Sequence, residues 1–130
     1  KSGPKSFLGL LVPNFPNLFI VSGPGSPSVL TNVPVQIEQH VEWITKCIKF
    51  LENNKRQSIE STNEAANKWQ KEIMNSVKKT LFLKAKSSWY KGDNIPGKSK
   101  SFLPYPGGMP KYRKACLKVE KTNYKELKII

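Results

Sequence analysis

Between Val21 and Ser28 the chain reads Val-Ser-Gly-Pro-Gly-Ser-Pro-Ser, and neither a helix nor a strand can run through it. Pro24 and Pro27 remove backbone donors, while Gly23 and Gly25 admit conformations closed to other residues. The break divides two segments of different period. Upstream, residues 18–21 (Leu-Phe-Ile-Val) form a short apolar run without polar alternation, the pattern of a strand buried on both faces. Downstream, Asn32 suits a helix cap, and Ile37, Val41, Ile44, Ile48 and Leu51 recur at intervals of four and three, one face of an α-helix over residues 33–53. The expectation is a strand, a glycine-rich turn and a helix. In an open α/β sheet that order puts the turn at the carboxyl end of the strand and aims the helix N-terminus, with its free N–H groups and positive dipole end, at an electron-rich ligand group. The turn is not a dinucleotide fingerprint, because a third glycine is missing and the prolines delete phosphate-binding donors.

The rest of the chain supplies helices and loops around that unit. Residues 1–16 read as an extended lead-in in which Phe7, Leu8, Leu10, Leu11 and Val12 can be buried. Residues 55–61 read as a basic loop anchored by Ile59. Ser61-Thr62-Asn63-Glu64 has capping-box spacing, with Ser61 as the cap of a second helix running to about Thr80 and carrying Ala66, Trp69, Ile73 and Val77 on one stripe. No period lasts from 81 to 108 apart from a possible strand over 101–105, and glycines and prolines interrupt it repeatedly. Trp89, Tyr90, Phe102 and Tyr105 argue against disorder there, so the segment reads as a lid. A third helix starts near Pro110 and turns Tyr112, Ala115, Cys116 and Val119 inward. Leu127, Ile129 and Ile130 suit a final strand or docked tail.

The sequence has 130 residues, enough for one domain, and no apolar run of the roughly 18 residues that a membrane span needs. Its net charge of +13 raises the possibility of a nucleic-acid-binding module. Yet the basic clusters (Lys84 and Lys86; Lys98 and Lys100; Lys111, Arg113 and Lys114) fall in different elements, and no zinc spacing or reading motif accompanies them. Cys47 and Cys116 are far apart with one histidine, His40, in the whole chain, too few ligands for zinc. Both read as small buried hydrophobes, reduced thiols of a cytoplasmic protein. No acid–base pair assembles, and Gly-x-Ser-x-Gly is absent, so a hydrolase is not supported. His40 reads as a partly exposed helix residue with a local hydrogen bond, and Trp69 as a packing residue.

Several stretches, taken together and in order, resemble the C-terminal part of the Baeyer–Villiger flavin monooxygenases. They are Gly3-Pro4-Lys5-Ser6-Phe7-Leu8-Gly9, Asn14-Phe15-Pro16-Asn17-Leu18-Phe19, Gly23-Pro24-Gly25-Ser26-Pro27-Ser28 and Ile37-Glu38-Gln39-His40-Val41-Glu42-Trp43-Ile44, followed by Ser88-Trp89-Tyr90, Asn94-Ile95-Pro96-Gly97-Lys98, Gly107-Gly108 and Tyr112-Arg113. The similarity covers essentially all of the chain, but the family's FAD and NADP glycine motifs and its identifying histidine motif are missing. The resemblance therefore implies a fragment of an FAD-dependent, NADPH-using monooxygenase that inserts one oxygen of O2 next to a ketone carbonyl, working with the remainder of its own polypeptide. Its implied fold is α/β, with residues 1–130 the C-terminal portion of an FAD-binding domain of incomplete sheet and 81–108 an irregular lid. A fragment whose central strand lacks partners would be marginal alone. The rival readings are a heteroatom-oxidising flavin monooxygenase and a non-catalytic basic module.

Under that resemblance the FAD contacts expected are Gly23, Pro24, Ser28, Asn32 and Val33, the last two because the first free N–H groups of the helix can donate to a carbonyl at the flavin's pyrimidine end. Val29 and Leu30 match positions that line the ketone pocket. Residues 88–98 would close over NADP, with Gly92 and Gly97 as hinges, Pro96 as stiffener and the Trp89 indole N–H donating to a ribose or phosphate oxygen. Asp93 departs from the family, where a small residue is usual. Catalytic residues are expected outside these 130 residues, and no metal is expected.

Overall fold

Helix α1 occupies Val33–Asn53 with Asn32 as its cap, the Asn32 side chain accepting the Val35 N–H at 3.3 Å, which are the bounds and the cap that the sequence predicts. In the computed structural model, which describes residues 3–85, 88–93, 95–97 and 101–130, the face it buries is a different one. Gln36, His40, Trp43, Cys47 and Leu51 point into the core, whereas Ile37, Val41 and Ile48 are 39%, 50% and 43% exposed. The two stripes share a spacing and differ by one residue, about 100° of helix rotation. Period fixes spacing, and phase falls to the stripe with the largest side chain. Here that is Trp43, whose indole donates to the Cys116 carbonyl at 3.2 Å and whose ring meets Tyr124 edge-on at 5.4 Å.

Residues 18–21 are not a strand buried on both faces. Phe19 makes a single bridge to Leu11, the Ile20 N–H bonds the Leu10 carbonyl at 2.8 Å, and Leu18 and Val21 are exposed. The run is bounded by Asn17 and Ser22, both with φ of +58°, and a left-handed residue at each end turns the chain before a ladder can form. The unpaired ladder expected to make the domain marginal therefore does not arise. The sheet lies elsewhere: β1 (Ile59–Ser61) pairs antiparallel with β2 (Leu127–Ile129), Ile59 opposite Ile129. Ile59 is thus a strand residue rather than a loop anchor, and Asn17 holds the lead-in to it by exchanging two hydrogen bonds with the Ile59 backbone, 2.9 and 3.1 Å.

Helix α2 spans Asn63–Val77. Its cap is Thr62, not Ser61: the Thr62 hydroxyl accepts the Ala65 N–H at 3.0 Å, because pairing with Leu127 holds Ser61 in β1. Ala66, Trp69, Ile73 and Val77 are buried as their spacing predicts. The helix stops before Thr80, which instead caps a 3-10 turn over Leu81–Lys84. Helix α3 is Met109–Lys121, with Pro110 in its first turn and Tyr112, Cys116 and Val119 buried.

Between them, 81–108 contains a second 3-10 turn, Trp89–Lys91, and no strand among the described residues. Residues 101–105 are extended and bonded on two sides: to Lys91 and Tyr90 through the Ser101 and Leu103 N–H groups, and to Gly25 and Ser26 through the Leu103 carbonyl and the Tyr105 N–H. Tyr90, Phe82 and Phe102 pack as a tilted aromatic cluster beneath. Asn94, Lys98, Lys86 and Lys100, named above for the lid and the basic clusters, lie outside the described residues. Cys47 and Cys116 are free and buried, and burial pushes their thiols up to about 12 and about 11, which removes them as nucleophiles at neutral pH.

Candidate functional site

The turn over residues 22–27 is tied to several separate segments by hydrogen bonds, and no sheet holds it. The Gly23 N–H bonds the Gly9 carbonyl at 3.1 Å, the Ser6 hydroxyl donates to the Pro24 carbonyl, and the Gly25 N–H bonds the Leu103 carbonyl at 2.7 Å. From α2 the Trp69 indole donates to the Gly25 carbonyl at 2.9 Å, with its ring stacked on Tyr105 at 4.9 Å. From α1 the Gln36 amide donates to the hydroxyls of Ser22 and Ser26 at 3.0 and 3.2 Å. Glycine is required where this turn meets the lead-in. A Cβ on Gly9, whose φ is +73°, would lie 2.6 Å from the Ser26 backbone nitrogen.

His40 supplies the remaining tie, and it is neither partly exposed nor locally bonded. It is fully buried, its Nδ1 accepts the Ser22 N–H at 3.0 Å, and its Nε2 lies 2.7 Å from the Tyr112 hydroxyl, which donates to the Leu8 carbonyl at 2.6 Å. An N–H aimed at Nδ1 leaves the ring proton on Nε2, so the donors run in one direction: Ser22 to His40, His40 to Tyr112, Tyr112 to Leu8. Burial pushes the imidazole down to about 4, which keeps it neutral and preserves the acceptor. Burial also holds Tyr112 well above the usual phenol range. In the sequence His40 reads as a partly exposed helix residue, and Gln36 is not singled out. The available signal was their position on one stripe with Trp43, Cys47 and Leu51: two polar residues in phase with a tryptophan are buried and must find partners.

In front of the turn lies a pocket of about 180 Å³ lined by Ser22, Gly23, Pro24, Ser28, Trp89, Leu103 and Pro104. The structure thus brings Gly23, Pro24, Ser28 and Trp89 together, although the last two are 61 positions apart in the sequence. Trp89 is half-exposed at the rim, against Tyr90. Val29, Leu30, Asn32 and Val33 do not line this pocket. Val29 and Leu30 belong to a 3-10 turn, Ser28–Leu30, with Val29 at 52% exposure, and Asn32 and Val33 sit at the adjacent start of α1. Asp93 is neutralised within its own loop: Lys91 Nζ lies 2.9 Å away and the Ser88 N–H donates to it at 2.7 Å, which together hold its carboxyl below the usual range.

Small-molecule sites commonly enclose roughly 300–1,000 Å³, so this pocket has room for a single ring system and not for a whole dinucleotide. Its chemistry, two hydroxyls and an indole among proline and leucine walls, suits a flat heteroaromatic ring with polar edges. A larger cleft of about 320 Å³ between α1 and α3 is lined by Glu38, Glu42, Lys46, Arg113 and Glu120, with Lys46 and Glu120 paired at 3.3 Å. Gln39, Trp43 and Leu117 complete its lining, and none of its residues belongs to the turn. Among the described residues no group of His, Cys, Asp and Glu could hold a metal, and no helix is long and apolar enough to cross a membrane.

No protein-family model matches the chain. It is 45% identical over 113 residues to cyclohexanone 1,2-monooxygenase of Acinetobacter sp, a match covering 87% of this chain and 20% of that protein. A Baeyer-Villiger monooxygenase of Pseudooceanicola batsensis is 40% identical over 98% of this chain and 23% of its own. Among solved structures, cyclohexanone monooxygenase from Rhodococcus sp. Phi1 bound to NADP+ superposes with a TM-score of 0.90 at 38% identity, over 98% of this chain and 24% of that one. The chain spans about a fifth of the length of the curated relatives it matches.

Proposed function

We propose, proceeding from the homology of this chain to a segment of the Baeyer–Villiger flavin monooxygenases, that it is the part of such an enzyme that completes the FAD pocket and one wall of the substrate site. Residues 1–130 are then the C-terminal portion of the FAD-binding domain, with 81–108 as its lid segment. The whole protein is an FAD-dependent, NADPH-using monooxygenase of the cytoplasm that inserts one atom of O2 next to a ketone carbonyl. The observation that carries this reading is the meeting of Gly23, Pro24 and Ser28 with Trp89 across a single pocket.

When bound, reduced FAD supplies the activated oxygen, and the task left to this chain is to bind, orient and keep water out. At the start of α1, Pro34 has no N–H and the Asn32 side chain takes that of Val35, so the donors available to a flavin carbonyl come from Asn32 and Val33. Val29 and Leu30, beside them, face the ketone. Trp89 closes over NADP. The internal pairing of Asp93 with Lys91 keeps that carboxylate from repelling a phosphate there.

The lid assignment has a direct test in the FAD-loaded full-length protein. Trp89→Ala is expected to raise the share of NADPH consumed without product on the order of fivefold, with hydrogen peroxide formed instead and FAD content unchanged. Peroxide yield per NADPH measures this. Coupling at the parent level removes Trp89 from the lid.

A further inference from the structure

We propose that His40 is a positioning residue whose neutral imidazole, accepting the Ser22 N–H and donating to Tyr112, fixes the left-handed backbone of Ser22 and with it the wall of the pocket formed by Gly23, Pro24 and Ser28. Ser22 is a non-glycine residue at φ of +58°, a conformation that persists only where the surroundings over-determine it. What surrounds Ser22 is α1: His40 accepts its N–H, and the Gln36 amide donates to its hydroxyl. The next two residues along the chain are Gly23 and Pro24, so a rotation at Ser22 moves the pocket wall directly.

The tie reaches further than one hydrogen bond. Through Tyr112 and the Leu8 carbonyl, His40 joins α1, α3, the lead-in and the turn in a single buried chain of donors. The groups facing the imidazole are Ser22 from the turn, Tyr112 from α3 and Leu8 from the lead-in, with none of them charged. Gln36 reinforces the geometry, since its amide bridges Ser22 and Ser26 while its Oε1 has no partner among the described residues. A residue that merely filled the core would need its two nitrogens satisfied in any way. The positioning role requires the acceptor to face Ser22.

That difference can be read without cofactor, so the outcome is independent of whether the flavin assignment stands. Asparagine places an acceptor where Nδ1 lies but cannot reach Tyr112, whereas glutamine reaches Tyr112 and leaves the Ser22 N–H without its partner. In the ¹⁵N-labelled full chain, His40→Gln is expected to speed Ser22 amide exchange about tenfold, while His40→Asn holds it near the parent rate. Equal acceleration in both variants, or none in either, overturns the proposal. Should the variants fail to fold, the imidazole ¹⁵N shifts of the parent decide: a proton on Nε2 is expected, and a proton on Nδ1 overturns it.

Discussion

Trp69→Ala is expected to lower the unfolding free energy by about 4 kcal/mol, the loss typical of a tryptophan removed from a closed core. Three contributions converge on this side chain. It is 6% exposed between α2 and the turn, it stacks on Tyr105, and its indole N–H satisfies the Gly25 carbonyl. A Cβ at Gly25 would stand only 3.1 Å from that indole nitrogen, so the turn and the ring are already in contact and a void there cannot collapse without moving the turn. Trp69→Phe keeps most of the ring and loses the hydrogen bond, for a cost of about 1.5 kcal/mol. Urea unfolding of the three proteins measures both values. Equal costs for Ala and Phe would show that the hydrogen bond, not the packing, carries Trp69.

Lowering the pH from 6.5 to 4 is expected to remove on the order of 3 kcal/mol through His40 alone, at about 1.36 kcal/mol per pH unit of displacement. The folded imidazole is pushed down to about 4, from 6.5 for the free side chain. The unfolded chain therefore takes up the proton first. The contribution is fully present above pH 6.5 and is lost as the pH falls toward 4. Every other ionisable group is common to both proteins, so the informative quantity is the difference between the stability profiles of the parent and His40→Asn. That difference should narrow steadily below pH 6.5. Parallel profiles would mean that the folded imidazole titrates no lower than the free side chain.

Both predictions concern residues whose roles were unevenly legible. The bounds of α1 follow from the Asn32 cap and from the apolar period that ends at Leu51, and the stripe of α2 from Ala66 to Val77, because capping and period are local properties. The phase of α1 was not local. Ile37, Val41 and Ile48 make as good an apolar stripe as any, and what turned the helix by one residue was a partner 73 positions away, the Cys116 carbonyl that receives the Trp43 indole. The same holds for residues 18–21, where an apolar run suggested a strand and the left-handed residues at its two ends forbade one. The turn was recognised as the organising feature, yet the reason given was a sheet. Its actual supports, from Ser6, Gly9, Gln36, His40, Trp69 and Leu103, are long-range pairings that no period announces. The family resemblance implies FAD contacts for Gly23, Pro24 and Ser28 and an NADP contact for Trp89, but nothing local in the sequence announces the one pocket that joins them.

The most direct measurement of the account is oxygen transfer by the FAD-loaded full-length protein under ¹⁸O2 with NADPH and a cyclic ketone. The expected result is a lactone carrying one ¹⁸O atom, with one NADPH consumed for each lactone formed. NADPH oxidation without any labelled product from a ketone panel, or a full-length protein that does not hold FAD, would contradict it.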